Sequence, residues 1–140
     1  MSVTLQNVVD AVRDKLRTVS PTIRSVPDGP IENPSVFPFG TAFIRRVNYT
    51  QFSQTLRHGT HTLAVQVHVA RKDLPRDIEK SVPYGEVVPV AIYNDLTLDH
   101  KIATVTAIRG AFRGDMVWGD QETIGWDIEI DFTMVNQGVA

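Results

Sequence analysis

The stretch THTLAVQVHVARKD, Thr60–Asp73, puts Leu63, Val65, Val67 and Val69 at every second position, with Thr62, Gln66 and His68 between them. A period of two sends successive side chains to opposite sides of a sheet, and β-branched valine suits a pleated surface. The pattern predicts a strand with one dry face. Arg71-Lys72-Asp73 is too polar to prolong it, and Leu74-Pro75-Arg76-Asp77 has the makings of a helix start, with Asp73 as N-cap and Pro75 near the first turn. A strand that hands the chain directly to a helix implies a helix laid on a sheet.

Downstream, Leu74–Leu98 carries Ile78, Val82, Val87, Val88, Val90, Ala91 and Ile92, interrupted by Pro83-Tyr84-Gly85 and by Pro89. Proline lacks an N–H and clashes with the preceding turn, so one long helix is excluded. The pattern predicts two short helices, roughly Pro75–Val82 and Tyr84–Asn94, joined at a Pro83 kink. The second holds Pro89 only by starting near it or bending. Asp95–Asp99 is a loop, and Lys101–Phe112 a strand ended by Gly110 or Gly114. In Glu122–Val135, Ile124, Trp126, Ile128, Ile130, Phe132 and Met134 share one face, and Asp127, Glu129 and Asp131 the other. Trp126 belongs in the core beside Ile128 and Val67, where burying about 150–250 Å² of indole contributes at most about 4–6 kcal/mol.

Upstream, Val36–Arg45 is β-rich, but Pro38 removes a ladder donor and Gly40 loosens its middle, which fits an edge strand. Arg46–Gly59 is a polar stretch with single Tyr49, Phe52 and Leu56, longer than the usual hairpin loop, and so reads as a protruding arm. Prolines 21, 27, 30, 34 and 38 make Pro21–Pro38 an extended wrap over the surface. Before it, Leu5, Val8, Val9, Val12, Leu16 and Val19 recur at helical spacing; Thr4 is the N-cap and Ser20-Pro21 the stop. The sum is an α+β fold: a mostly antiparallel sheet of about four strands, an N-terminal helix and two short helices packed on it, and a long hairpin arm.

With 140 residues, 42% hydrophobic and 21% charged, the chain fits a single domain over residues 1–140. A domain of this size buries roughly 68–70% of its unfolded surface and needs neither metal nor disulfide to fold. The absence of cysteine removes thiolate chemistry and suits a reducing compartment such as a cytoplasm. Acidic Asp10 and Asp14 interrupt the N-terminal segment, so no signal peptide is expected, and no stretch approaches the ~20 apolar residues of a membrane span. The formal net charge of −2 supplies no general field for nucleic acid.

His58, His61, His68 and His100 are the candidates for acid–base or metal work, but His61 and His68 fall an odd number apart on one strand and point to opposite faces. There is no HExxH, no glycine-rich phosphate loop, no GxSxG and no cysteine ligand. No catalytic, cofactor-binding or metal-binding residues are expected, and the chain is read as not an enzyme. Asp127, Glu129 and Asp131 share a face with neighbours about 7 Å apart, as a cation site or an acid–base pair would want. A flat strand, however, supplies too few oxygens for a cation. A solvated sheet face, or a lumen or partner surface, are the other readings.

HVARKDLPRDIEKSVPYGEVVPVAIYNDLTLD (His68–Asp99) with WGDQETIGWDIEIDF (Trp118–Phe132) resembles the tail terminator, or tail completion, proteins of long-tailed bacteriophages. The order of features carries the resemblance: an N-terminal helix, a proline-rich approach, a hairpin, a strand running into two short helices, an Asp-x-Thr-Leu loop at Asp95–Leu98, and a closing strand with Gly125-Trp126. The resemblance implies a structural virion protein that assembles in the host cytoplasm as a homo-oligomeric ring, a hexamer. Such a ring caps the tail-tube protein at the head-proximal end of the tail, stops its polymerisation and presents a surface to the head–tail connector protein. DNA passes through without specific binding, and no membrane is involved. Arg46, Tyr49, Phe52 and Arg57 are then the expected oligomer or tube interface, and Asp127, Glu129 and Asp131 the expected channel-facing residues. A different head–tail connector or tail-tube component, or a small ligand-binding domain or enzyme, are the alternatives.

Overall fold

The computed structural model describes residues 5–27, 36–51, 57–72, 74–93, 104–118 and 121–135. In chain order these form α1 (Leu5–Leu16), β1 (Phe39–Arg46), β2 (Tyr49–Gln51), β3 (Arg57–Ala70), α2 (Leu74–Ser81), α3 (Tyr84–Tyr93), β4 (Thr104–Trp118) and β5 (Gln121–Val135). The sheet is antiparallel in the order β1-β3-β5-β4. The alternation in β3 and β5 fixes their register: Leu63, Val65, Val67 and Val69 lie opposite Ile130, Ile128, Trp126 and Ile124. These residues form one apolar face, and all but the partly buried Trp126 are buried. The α+β class, the edge position of β1 and the N-terminal helix agree with the sequence.

The described helices pack on that apolar face. From α1, Val8, Val9, Val12 and Leu16 enter the core, and Arg13 donates to the Ala42 carbonyl of β1 at 3.3 Å. The regular helix stops at Leu16 rather than Val19, yet Val19 and Ile23 stay buried, so the proline-rich stretch delivers core side chains as it leaves. Ser25 then bridges to the start of β1, with its N–H donated to Pro38 O and its carbonyl accepting from Gly40 N–H.

α2 and α3 form one bent helical unit. Gly85 N–H reaches Val82 O, and Glu86 and Val87 N–H both reach Pro83 O, so the backbone stays hydrogen-bonded through the bend. Pro89 sits within α3, whose Tyr84, Val88 and Ile92 face the core. Ile78 and Val82, apolar positions of the predicted first helix, are 41% and 56% exposed. α2 is anchored through polar groups instead: buried Asp77 accepts the Lys72 N–H at 2.7 Å, and Ser81 O accepts the Trp126 indole N–H at 2.8 Å. Two close approaches here require glycine. A side chain at Gly85 would collide with the Trp126 ring, and at Gly125, whose φ is 155°, with the Val67 carbonyl.

Four sequence expectations are corrected. β3 begins at Arg57, because Tyr49, Thr50 and Gln51 pair with Gly59, His58 and Arg57. β1 and β2 lie on the same side of β3, so they are two segments of one edge strand broken at Val47-Asn48, and the base of the expected arm is sheet; residues 52–56, including Phe52, lie outside the described residues. β4 does not end at Gly110 or Gly114 but continues to Trp118, since a ladder to β5 supports it, with Gly114 inside a register shift between Arg113 and Met116. Finally, the face of β3 opposite the core is not wet: Thr62, Ala64 and His68 on it are buried as well. The expected caps Thr4 and Asp73, the Asp95–Asp99 loop and His100 lie outside the described residues.

Candidate functional site

Strand alternation sends Asp127, Glu129 and Asp131 to the face that the helices leave open, opposite Gln66, Ala64 and Thr62 of β3. Arginines from both edge strands meet them there. Arg45, at the register shift that ends β1, lies 3.0 Å from Asp127 and 3.3 Å from Glu129. From β4, Arg109 reaches Asp131 at 2.7 Å and Glu129 at 3.2 Å, and Arg113 reaches Asp127 at 3.5 Å. Thr62 donates its hydroxyl to Asp131 at 2.8 Å.

The result is a column of carboxylates on β5 flanked by the Arg45 guanidinium on one side and those of Arg109 and Arg113 on the other. Arg45 spans β3 to make its bonds, and its Cζ stands 5.7 Å from the centre of the Phe43 ring. Small Ala64, fully buried, fits beneath such long side chains, which cover apolar surface with their stems while the heads stay at the surface.

The electrostatics follow from this pairing. Partial burial works against the Arg45 charge, but hydrogen bonds and the charges of Asp127 and Glu129 outweigh it and hold its pKa above the ordinary value. The hydrogen bond from Arg109 prevails over partial burial and, with Thr62, holds the Asp131 carboxyl below the ordinary value. Arg109 is correspondingly raised, first by its hydrogen bond to Asp131. The ladder is therefore charge-balanced by arginines of the same chain.

Of the residues expected at an interface, Arg46 is exposed at the end of β1, opposite Thr62, and its charge contributes to the depression of Asp131. Tyr49 and Arg57 sit at the two ends of the short β2–β3 ladder, paired with Gly59 and Gln51. Their side chains, that of His58, and all of Phe52 lie outside the described residues. The structure thus joins the three carboxylates into one site and sets Arg46 at its border. Arg45, Arg109 and Arg113 complete the site and were missed by the sequence reading. Their signal was available: Arg109 and Arg113 fall on the positions between apolar Ile108 and Phe112, as the acids of β5 fall between its apolar residues.

The two described histidine rings serve the fold. His61 is buried on the core side, accepts the Asn48 N–H on Nδ1 at 3.1 Å and packs edge-on to Phe132, which closes the break between β1 and β2. His68 is fully buried on the opposite face beside Phe39, with Nε2 3.0 Å from Gln66 Oε1 and Nδ1 2.6 Å from Thr123 Oγ1. An amide oxygen only accepts, so Nε2 carries the proton and Nδ1 accepts the threonine hydroxyl. Burial pushes His68 down to about 4, against the opposing pull of Asp127. No group of three or more metal-ligating side chains occurs among the described residues, and no helix among them is long and apolar enough to cross a membrane. Compared with models of known protein families and with curated protein sequences, the chain matches none.

Proposed function

We propose that the chain is the subunit of a tail-terminator ring, a homohexamer that caps the tail tube of a long-tailed phage, ends its polymerisation and receives the head–tail connector. One observation carries the reading beyond the resemblance in sequence: among the described residues the helices cover one face of the sheet, while its other face carries a charge-balanced ladder between two edge strands. Edge strands carry unpaired backbone groups that accept a neighbour. In the ring, the open face lines the channel; its balanced charge neither holds phosphate, as lysines would, nor strongly repels it. Interface contacts come from the β1–β2 edge with Arg46, and from Tyr49, Phe52 and Arg57.

Negative-stain electron microscopy and mass photometry of the purified protein test this. Closed six-membered rings are expected; a monomer at micromolar concentration overturns the reading, and self-extending tubes move it to a tube subunit. Deleting residues 52–56, which spares β2, weakens assembly if the arm is the contact. For the channel, the triple variant Asp127→Asn, Glu129→Gln and Asp131→Asn strips the partners from three arginines and turns the face cationic. Normal tails with slowed genome ejection are expected. Unchanged ejection removes this face from the channel, and failed ring assembly places it at a subunit contact.

A further inference from the structure

A second surface lies at the other end of β3, away from the carboxylate ladder. The ends of β1 and β3 and the bend between α2 and α3 enclose an open cleft of about 640 Å³. Its apolar lining consists of partly exposed Phe37, Pro38 and Ala70 with buried Val69 and Tyr84, and its rim carries Lys72, Arg76 and Lys80. Arg76 and Lys80 are four residues apart on α2 and so share a helix face, and Lys72 leaves the end of β3 beside them.

The charge on this rim is one-sided. Among the described residues, Asp77 is the carboxylate lining the cleft, and it is 5% exposed with an oxygen already accepting the Lys72 N–H. Neither Lys72 nor Lys80 has an ion-pair partner among the described residues. The floor is held in place from behind, because the Tyr84 hydroxyl donates to Thr22 O at 3.2 Å.

We infer that this cleft docks an acidic peptide segment of a partner protein, with an aliphatic or aromatic side chain seated on the partly exposed Phe37–Pro38–Ala70 surface and flanking carboxylates on Lys72 and Lys80. A free inorganic anion would satisfy the rim and leave the floor wet. A nucleic-acid strand needs open aromatic faces on which bases stack, whereas of the aromatic rings lining the cleft among the described residues Phe37 is half-buried and Tyr84 is 2% exposed. A short acidic segment with an apolar anchor matches both features at once, with the anchor supplying affinity and the rim supplying orientation and on-rate. The inference does not depend on ring formation, since the cleft belongs to a single chain.

The test is fluorescence anisotropy of the full chain with a fluorescein-labelled synthetic peptide, Glu-Asp-Trp-Leu-Glu-Asp. Saturable binding that weakens with salt is expected, with amide shifts at Val69, Ala70 and Tyr84. The double variant Lys72→Glu, Lys80→Glu changes two exposed positions and should weaken binding at least about tenfold with an unchanged melting temperature. Ala70→Phe, which fills the floor and leaves the rim charge intact, should also abolish it. The inference is overturned by absence of saturation, by equal binding of a peptide with serine in place of Trp and Leu, by equal or tighter binding of oligothymidylate, or by indifference to the charge reversal.

Discussion

On one side of the sheet Val65, Val67, Ile128 and Ile130 are fully buried beneath helices; on the other, Ala64 and His68 are equally buried, although no helix among the described residues lies over them. The first side is closed by apolar packing, whose strength follows the area removed from water and is indifferent to salt bridges. The second is closed around His68 by Phe39, Gln66 and Thr123, and along β5 by a layer of paired guanidinium and carboxylate groups, in which hydrogen bonding offsets the cost of partly desolvating charge. The difference teaches how one sheet can hold a fold on one face and keep a polar, adaptable surface on the other. Perturbations of the two faces should therefore differ in size and in their response to salt and pH.

The largest effect belongs to the packed side. Trp126→Ala removes the ring seated against Gly85 and Phe112 and leaves Ser81 O without its donor, so chemical denaturation should show a loss of about 3–5 kcal/mol. A loss under about 1 kcal/mol, the scale of surface substitutions, would place the indole outside the cooperative core.

Next comes His68, the buried group of the open face. In the unfolded chain its pKa is near 6.5, and in the fold about 4. Above pH 6.5 both states are neutral and nothing is gained or lost. As pH falls below 6.5, the unfolded state takes up a proton that the folded state refuses until about pH 4, so stability drops across that window, by about 3 kcal/mol in total. Asp131, depressed below its ordinary 3.8, adds its own loss only at lower pH. Denaturation at stepped pH should show the slope in wild type and not in His68→Gln.

Gly85→Ala is a test of sign. Alanine usually stabilises a helix over glycine by about 1 kcal/mol, but here its methyl meets the Trp126 ring, and a loss of about 1–3 kcal/mol is expected. A gain would show that the ring moves aside freely. For the charged layer, Asp127→Asn should cost about 1–2 kcal/mol, because Arg45 and Arg113 lose their shared carboxylate. That difference should shrink in high salt, whereas the Trp126 effect should not. Arg113→Gln is the smallest change: its side chain is 56% exposed, and less than about 1 kcal/mol is expected.

The legibility of the sequence follows the same division. Period-two alternation of valine and isoleucine was enough to place β3 and β5 and to name their buried face, and helical spacing was enough for α1. The acids on the reverse of β5 were equally plain. Their partners were not, because Arg45 and Arg109 lie 82 and 20 positions from the carboxylates they meet at Asp127 and Glu129. Gly110 and Gly114 misled for a related reason: local propensity argues for a strand end there, and the ladder supplied by β5 overrides it.

What the sequence by itself determined is the α+β class, the apolar face beneath the helices, the two-part helix and the edge character of β1, since each depends on the period of nearby side chains or on proline. Only the tertiary structure decided that β2 continues the edge of β1, that the ladder of acids is neutralised from both flanks, and that Trp126 ties β5 to the bend at Ser81 and Gly85. Those contacts join residues distant in the chain, and their geometry depends on register and crossing, which local pattern does not encode.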